Sequence, residues 1–184
     1  MWYSNKTAKE RTIFRYELLI KKALREGGFK KGEIQGLKVI PLEKYTDERG
    51  ALLEIYRSDW KIHHKPQMAY ISYTLPGKKR GPHLHEKQSD YFVFAGPGDL
   101  VFKAWDLREK SPTFPNFVEI RCGESYPVAI IVPPGVAHGY SNPFQKPGWT
   151  VNLPDKLYRG KNKSREADEV RFENTPLEKF LKMP

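Results

Sequence analysis

The sequence predicts an all-β domain, an antiparallel jelly-roll sandwich or barrel, with a helix before it and a short helix after it. Three observations lead there. Between about Leu37 and Asn152 the apolar residues come in short runs rich in β-branched and aromatic types; Gly and Pro punctuate those runs; and nothing between them has helical spacing. The 184 residues suit one domain with appended elements, and 39% hydrophobic with 13% aromatic residues is enough for a packed core, which excludes wholesale disorder.

The elements follow in order. From Met1 to about Gly28, Ile13, Tyr16, Ile20 and Ala23 or Leu24 recur at spacings of three and four, with Lys and Glu between them. Lys21, Lys22 and Arg25 then precede Gly27 and Gly28, a helix stop with charges placed to suit the helix dipole. An amphipathic helix docked on the domain is expected, within an extension covering residues 1–36. Residues 37–158 form the barrel, with strands over Leu52–Tyr56, Met68–Tyr73, Tyr91–Phe94, Leu100–Trp105 and Val128–Val132. Turns fall at Leu75-Pro76-Gly77, Gly96-Pro97-Gly98 and Pro133-Pro134-Gly135. Residues 159–184 read as a solvated basic loop, with Lys161, Lys163 and Arg165 serving solubility, and then a short helix over Thr175–Leu181.

Composition narrows the function classes. Thirty-two Lys and Arg against twenty-two Asp and Glu give a net charge of +10, which points to an anionic partner. The basic residues are scattered and no nucleic-acid motif accompanies them, so nucleic acid is not expected as that partner. No apolar run approaches the ~20 residues of a membrane span, and the N-terminus lacks an apolar signal region; a soluble cytoplasmic protein is expected. Cys122 is the only cysteine, which excludes an intrachain disulfide and a thiolate zinc cluster, and its place on a strand predicts a buried inert thiol. His63 and His64 lie in a polar connection and are expected at the surface, and Asp106 with Arg108 reads as a structural pair.

Two histidine constellations stand out. Pro133-Pro134-Gly135-Val136-Ala137-His138-Gly139-Tyr140-Ser141-Asn142 fits P-x-G-x-x-H-x-x-x-N, the second cupin motif, at every fixed position. Upstream, Arg80-Gly81-Pro82-His83-Leu84-His85, with Asp90 five positions beyond His85, approximates the first. Strand residues at i and i+2 share a face, so His83 and His85 can both point into a barrel, with His138 approaching from a neighbouring strand. Three imidazoles and a carboxylate suit a divalent metal with an open position, and hydrogen bonding within the barrel is the plainer alternative.

Four stretches occur in the order found in dTDP-4-dehydrorhamnose 3,5-epimerases: Asp47-Glu48-Arg49-Gly50, Arg80-Gly81-Pro82-His83, Asp106-Leu107-Arg108-Glu109-Lys110-Ser111-Pro112-Thr113-Phe114, and Pro134-Gly135-Val136-Ala137-His138-Gly139-Tyr140. Over roughly Leu37 to Tyr158 the chain resembles that family. The resemblance implies a cupin jelly roll, a homodimer, no cofactor or metal, a nucleotide-diphosphate sugar as partner, and a setting in dTDP-rhamnose or polysaccharide biosynthesis. It implies that Arg49 and Glu54 reach the nucleotide, that Arg80 reaches the diphosphate with Lys78 and Lys79 close by, that His83 is the catalytic base, and that His138 lines the site with His85. Epimerisation next to a ketone requires removal of a weakly acidic C–H proton, stabilisation of the enolate, and return of a proton to the opposite face.

The sequence also departs from the family. Counted along the chain, the family's active-site lysine falls on or near Tyr91 and its proton-donating tyrosine on Asn152, so Tyr91, Tyr140 and Tyr158 become candidate replacement donors. The C-terminal stretch that supplies a carboxylate partner for the base has no evident counterpart. The run from Thr74 to His85 resembles dTDP-sugar 3,4-ketoisomerases, in which paired histidines move a proton on one face of the sugar. Three alternatives to the epimerase thus stand beside it: that ketoisomerase, a metal-dependent cupin using His83, His85, Asp90 and His138, and a nucleotide-sugar-binding module without turnover.

Overall fold

The computed structural model describes residues 7–183. Helix α1 spans Ala8–Arg25 and begins in a capping box, in which Thr7 and Glu10 satisfy each other's backbone N–H groups. Lys22 and Arg25 lie in its last turn, and Gly27 and Gly28, at φ of 99° and 88°, take the left-handed conformation that ends it. Its buried face is Tyr16, Leu19, Ile20 and Ala23, while Leu24 is exposed. The expected start at Met1 lies outside the described residues.

Thirteen strands follow among the described residues: β1 (Lys30–Lys31), β2 (Lys38–Pro41), β3 (Lys44–Asp47), β4 (Gly50–Leu53), β5 (Tyr70–Thr74), β6 (Lys79–Leu84), β7 (Asp90–Phe94), β8 (Asp99–Asp106), β9 (Asn116–Gly123), β10 (Val128–Val132), β11 (Val136–Ser141), β12 (Gly148–Asn152) and β13 (Val170–Arg171). Six form one sheet in the order β1-β9-β8-β11-β6-β13, five form a second in the order β2-β10-β7-β12-β5, and β3-β4 is a separate hairpin. The two larger sheets face each other as a jelly-roll sandwich. Strands β1 and β13 come from segments read as lying outside the barrel, yet both pair with the six-stranded sheet. The expected terminal helix is a single 3-10 turn at Glu178–Phe180, and buried Leu177 and Leu181 anchor the segment.

Side-chain alternation sorts the strands into three apolar layers. Between the sheets lie Phe92, Phe94, Leu100, Phe102, Val128, Ile130 and Tyr140. Outside the six-stranded sheet, α1 packs Tyr16, Leu19 and Ile20 onto Leu84, Trp105, Ala137, Phe172 and Leu181. Outside the five-stranded sheet, Tyr91, Val93, Ala129 and Ile131 meet Leu42, Ile55, Tyr56 and Trp60. Phe94 and Phe102 are fully buried, each stabilising the fold by about 2–3 kcal/mol through removal from water.

Two conspicuous motifs serve this architecture. The Asp-Leu-Arg…Ser-Pro-Thr stretch is a turn built on the fully buried Asp106, which accepts hydrogen bonds from Arg108 Nε (2.8 Å), Ser111 Oγ (2.6 Å) and Thr113 Oγ1 (2.6 Å). Burial opposes its charge, but these bonds outweigh burial and hold its carboxyl below the usual range. Cys122 is buried, and burial pushes its thiol pKa up. His64, expected at the surface, is instead buried under Tyr91 with its Nε2 2.6 Å from the Leu153 carbonyl, because the connection folds over the outer sheet face; His63 stays exposed.

Candidate active site

The site begins where β6 and β11 run side by side. His83 and His138 are register partners, with a bulge between His138 and Tyr140. A Cβ on Gly81 would lie 2.6 Å from the His138 carbonyl oxygen, and one on Gly139 would lie 2.5 Å from that of Arg80. Only glycine allows this approach, which sets the two imidazoles 4.6 Å apart, centre to centre. Leu84 and Ala137 point outward into the helix-covered layer, so His83 and His138 point inward.

The facing sheet supplies the carboxylate. On β7, Asp90, Phe92 and Phe94 face inward while Tyr91 and Val93 face out. Asp90 Oδ2 lies 3.2 Å from His138 Nε2 and 3.3 Å from His85 Nε2. Its Oδ1 accepts hydrogen bonds from Asn152 Nδ2 (2.9 Å) and Gln88 Nε2 (3.0 Å). The opposite edge of each ring is held by the backbone: His138 Nδ1 is 3.0 Å from the Val136 carbonyl, and His85 Nδ1 bonds the Asp168 carbonyl. The donor atoms of His83, His85, Asp90 and His138 all lie within 4.8 Å of one another, so this set has the composition and spacing to hold a divalent metal.

The electrostatics are those of a buried charge cluster. Burial opposes the Asp90 charge, yet hydrogen bonds from His138 and His85 carry its pKa well below the usual carboxylate value. Burial also opposes a charge on His85, but Asp90 outweighs it and pushes that histidine up to about 9. His83 goes the other way: burial, followed by the charges of His138 and His85, drives it well below the usual imidazole value. Neutral His83 therefore stands beside a cationic partner. No hydrogen bond to its ring nitrogens occurs among the described residues.

Above this cluster opens a cavity of about 810 Å³, lined on its floor and walls by His83, His85, Tyr70, Ser72, Phe92 and Tyr140. Lys79, Arg80, Lys161, Lys163 and Arg171 stand around it as cations. Lys161 and Lys163, read from sequence as solubilising, thus belong to the cavity wall; Arg159, Gly160, Asn162 and Lys163 all have positive φ, and this strained turn folds the basic loop inward.

The other expected residues fall into two groups. Arg80 and Tyr158 line the cavity with Tyr140, whose hydroxyl is 2.7 Å from Ser72 Oγ, and Asn152 sits just behind it, bonded to Asp90. Tyr91 is a correction: it faces the outer layer, its hydroxyl donating to the Ile55 carbonyl at 3.1 Å, and the inward residue at that point of β7 is Asp90. Arg49 and Glu54 are exposed at the β3–β4 hairpin, paired with Asp47 and Arg57, and Lys78 lies on an exposed turn; none of the three lines this cavity in the single chain.

Sequence reasoning missed several residues. Strand β13 was not foreseen: it pairs with β6 so that Arg171 stands opposite His83, with Glu169 and Glu173 on the same cavity wall. Tyr70 was also passed over. It is the register partner of Asn152, and its hydroxyl accepts a 2.8 Å hydrogen bond from the Asn152 amide. The signal available for Tyr70 was alternation with Ser72 in a predicted strand; two-residue β13 offered none.

Comparisons with known proteins accord with this geometry. A family model described as dTDP-4-dehydrorhamnose 3,5-epimerase matches residues 31–159. The probable low-salt glycan biosynthesis epimerase Agl13 of Haloferax volcanii is 35% identical over 127 residues, which is 68% of this chain and 81% of that protein. The spore coat polysaccharide biosynthesis protein SpsL of Bacillus subtilis is 38% identical over 108 residues, 58% of this chain and 70% of that one. Among solved structures, the dTDP-6-deoxy-D-glucose-3,5-epimerase RmlC of Legionella pneumophila, in complex with dTDP-4-keto-L-rhamnose, shares the fold with a TM-score of 0.66 at 23% identity, covering 84% of this chain and 80% of that one. With most of the barrel inside the matched region, the chain belongs to the dTDP-4-dehydrorhamnose 3,5-epimerase family of sugar-nucleotide isomerases.

Proposed function

We propose that this protein epimerises a dTDP-4-keto-6-deoxyhexose at carbon next to the ketone, with His83 as the base and Tyr70 as the proton donor on the opposite side. The observation that carries the reading is His83 itself: an imidazole kept neutral by burial and by the charge of neighbouring His85, with no hydrogen-bond partner on its ring among the described residues, at the floor of a cavity ringed by cations. A neutral imidazole with a free lone pair is what proton abstraction needs. The C–H proton passes to His83, the electron pair moves toward the carbonyl oxygen, and the positive charge held on His85 stabilises the resulting enolate. Tyr70 belongs to the facing sheet; the residue is partly exposed, but the withdrawal of its hydroxyl end from water raises that group to about 12, so it is protonated and able to donate. Reprotonation by Tyr70 on the face opposite His83 inverts the carbon, and these steps draw only on protein groups.

Arg80, Lys161 and Lys163 are suited to the diphosphate, Arg80 being held in place by a 3.0 Å bond to the Tyr73 carbonyl, while Lys79 and Arg171 are paired with Glu178 and Glu169. We further propose a homodimer in which the exposed β3–β4 hairpin enters a second copy's cavity, bringing Arg49 and Glu54 to the nucleotide. Exposed Tyr45 and Leu52 on that hairpin support it, since both would be covered there. If so, co-expressed Arg49→Ala and His83→Ala chains regain activity in mixed dimers that neither variant has alone.

The direct test is solvent deuterium exchange followed by NMR with a dTDP-4-keto-6-deoxysugar. His83→Ala is expected to lower exchange about 1,000-fold with the fold intact. Exchange within threefold of the parent rate rejects His83 as the base. The same spectra separate an inverted centre from a displaced carbonyl, and so the epimerase from a ketoisomerase.

A further inference from the structure

Asn152 stands just behind the cavity with its whole amide committed. Its Oδ1 accepts the Tyr91 backbone N–H at 3.2 Å, while its Nδ2 donates to Asp90 Oδ1 at 2.9 Å and to the Tyr70 hydroxyl at 2.8 Å. A side-chain amide has two N–H protons, and these two bonds use both. With oxygen and nitrogen exchanged, the amide would press an oxygen against the Asp90 carboxylate and an NH₂ against the Tyr91 N–H. The three neighbours therefore allow one orientation only.

That orientation fixes the direction of the bond to Tyr70. Asn152 donates, and the phenol oxygen accepts. A hydroxyl has one proton to give, and for that of Tyr70 no acceptor occurs among the described residues, so it is left for a ligand in the cavity that Tyr70 lines. The other tyrosines nearby differ. Tyr91 spends its proton on the Ile55 carbonyl, and the Tyr140 hydroxyl is bonded to Ser72. The bond from Asn152 also suits the state after proton transfer. When Tyr70 loses its proton the electron pair stays on oxygen, and an N–H that had faced a neutral phenol then faces an anion, which strengthens the bond. Burial raises the Tyr70 hydroxyl most, the Asn152 bond pulls it down, and Asp90, Tyr140 and Glu169 push it up further.

We propose that Asn152 is a positioning residue: by donating to the Tyr70 oxygen it aims the Tyr70 proton into the cavity, and it stabilises the phenolate left when that proton passes to the sugar. The first part concerns hydrogen bonding alone; the second rests on the proposed role of Tyr70 as proton donor. In the transfer the enolate electron pair forms the new C–H bond, and the phenolate recovers a proton from water before the next turnover.

Asn152→Asp tests this at constant shape. Beside the Asp90 anion the new carboxyl takes up a proton and donates it to Asp90, the stronger acceptor. It still accepts the Tyr91 N–H, and the bond to Tyr70 persists only in reverse, with Tyr70 donating away from the cavity. The ratio of inversion to solvent exchange of the substrate proton should fall about 10- to 30-fold, with KM and the circular dichroism spectrum close to the parent's. In a Tyr70→Phe background the same substitution should change that ratio by less than about twofold, an outcome that general loosening of the site would not give. The second measurement is direct. In protein carrying 3,5-difluorotyrosine, whose phenol is acidified by the fluorines, the ¹⁹F resonance of residue 70 is identified by its loss in Tyr70→Phe. Its pKa should rise by about one unit or more in Asn152→Asp and in Asn152→Leu. An unchanged pKa in either folded variant overturns the bond's direction. A raised pKa with an unaltered ratio keeps the bond and overturns its part in catalysis. Inversion at the parent rate by Tyr70→Phe rejects Tyr70 as the donor, and with it the second part, while the resonance still decides the first.

Discussion

The interior between the two sheets has an apolar half and a polar half, and they are built on opposite rules. In the apolar half Phe94, Phe102, Leu100 and Ile130 interlock, and each contributes through area removed from water and through close contact. In the polar half His85, Asp90, His138 and Asn152 are buried, and His83 half-buried, at the cost of their hydration, and a polar group so placed needs a partner. The two halves share strands: β7 carries Asp90 at one end and Phe94 at the other, and β11 alternates Val136, His138 and Tyr140 toward the interior. Burial alone therefore does not separate support from chemistry. Unfilled hydrogen-bonding capacity turned toward the cavity does: Thr74, Ser141 and Thr150 also carry buried hydroxyls without a partner among the described residues, but they do not line the cavity, whereas His83 does.

The contrast can be broken from either side. Phe94→Ala should carry the largest energetic effect, a loss of about 3–5 kcal/mol in chemical denaturation, with turnover per folded molecule unchanged at low temperature. A change in turnover of tenfold or more would mean that the apolar half is part of the catalytic apparatus. Tyr70→Phe is expected to lower epimerisation about 100-fold while exchange of the substrate proton at His83 persists, with little change in thermal midpoint. Parallel loss of exchange and inversion would place Tyr70 on the base's side of the reaction.

The smallest expected effect concerns Asp106, a buried carboxylate whose hydrogen-bonding capacity is taken up by Arg108, Ser111 and Thr113. Asp106→Asn should cost about 1–3 kcal/mol of stability at neutral pH and leave kcat unaltered. Its folded pKa is depressed, so the stability it contributes is present above the ordinary value of 3.8 and is lost as pH falls through the folded value. The parent's thermal midpoint should accordingly decline more steeply on acidification below about pH 4 than the variant's. Equal slopes would show that Asp106 does not carry that charge-dependent term.

Much of the site was legible because its residues lie where spacing translates directly into direction. His83 and His85 at i and i+2, Asp90 shortly after them and His138 in a near-complete motif announced a convergent cluster, and the strands bear them inward. Alternation also limits what counting along a chain can do. A count that ends on or near Tyr91 is harmless in a loop, but on a strand a shift of one residue exchanges the cavity for the outer layer. That is why Tyr91 packs against Tyr56 and His64 while Asp90 faces the histidines. The contributions of Arg171 and Glu173 were hidden for a different reason: a two-residue edge strand is specified by the sheet it joins and has almost no pattern of its own.

By itself the sequence determined the all-β class, the amphipathic helix, the family and the cluster of inward histidines, because periodicity, turn residues and motif spacing are local properties of a chain. It pointed to Arg80 as a phosphate contact on the same basis. Only the tertiary structure decided that Tyr70 stands against Asn152, that Lys161 and Lys163 turn toward the cavity, that β13 closes the wall beside His83, and that Asp90 is shared between two imidazoles. Each of these depends on segments distant in sequence meeting at a particular register. The burial that keeps His83 neutral, and the Asp90 contact that overrides burial and makes His85 cationic, arise only once both sheets have closed around them.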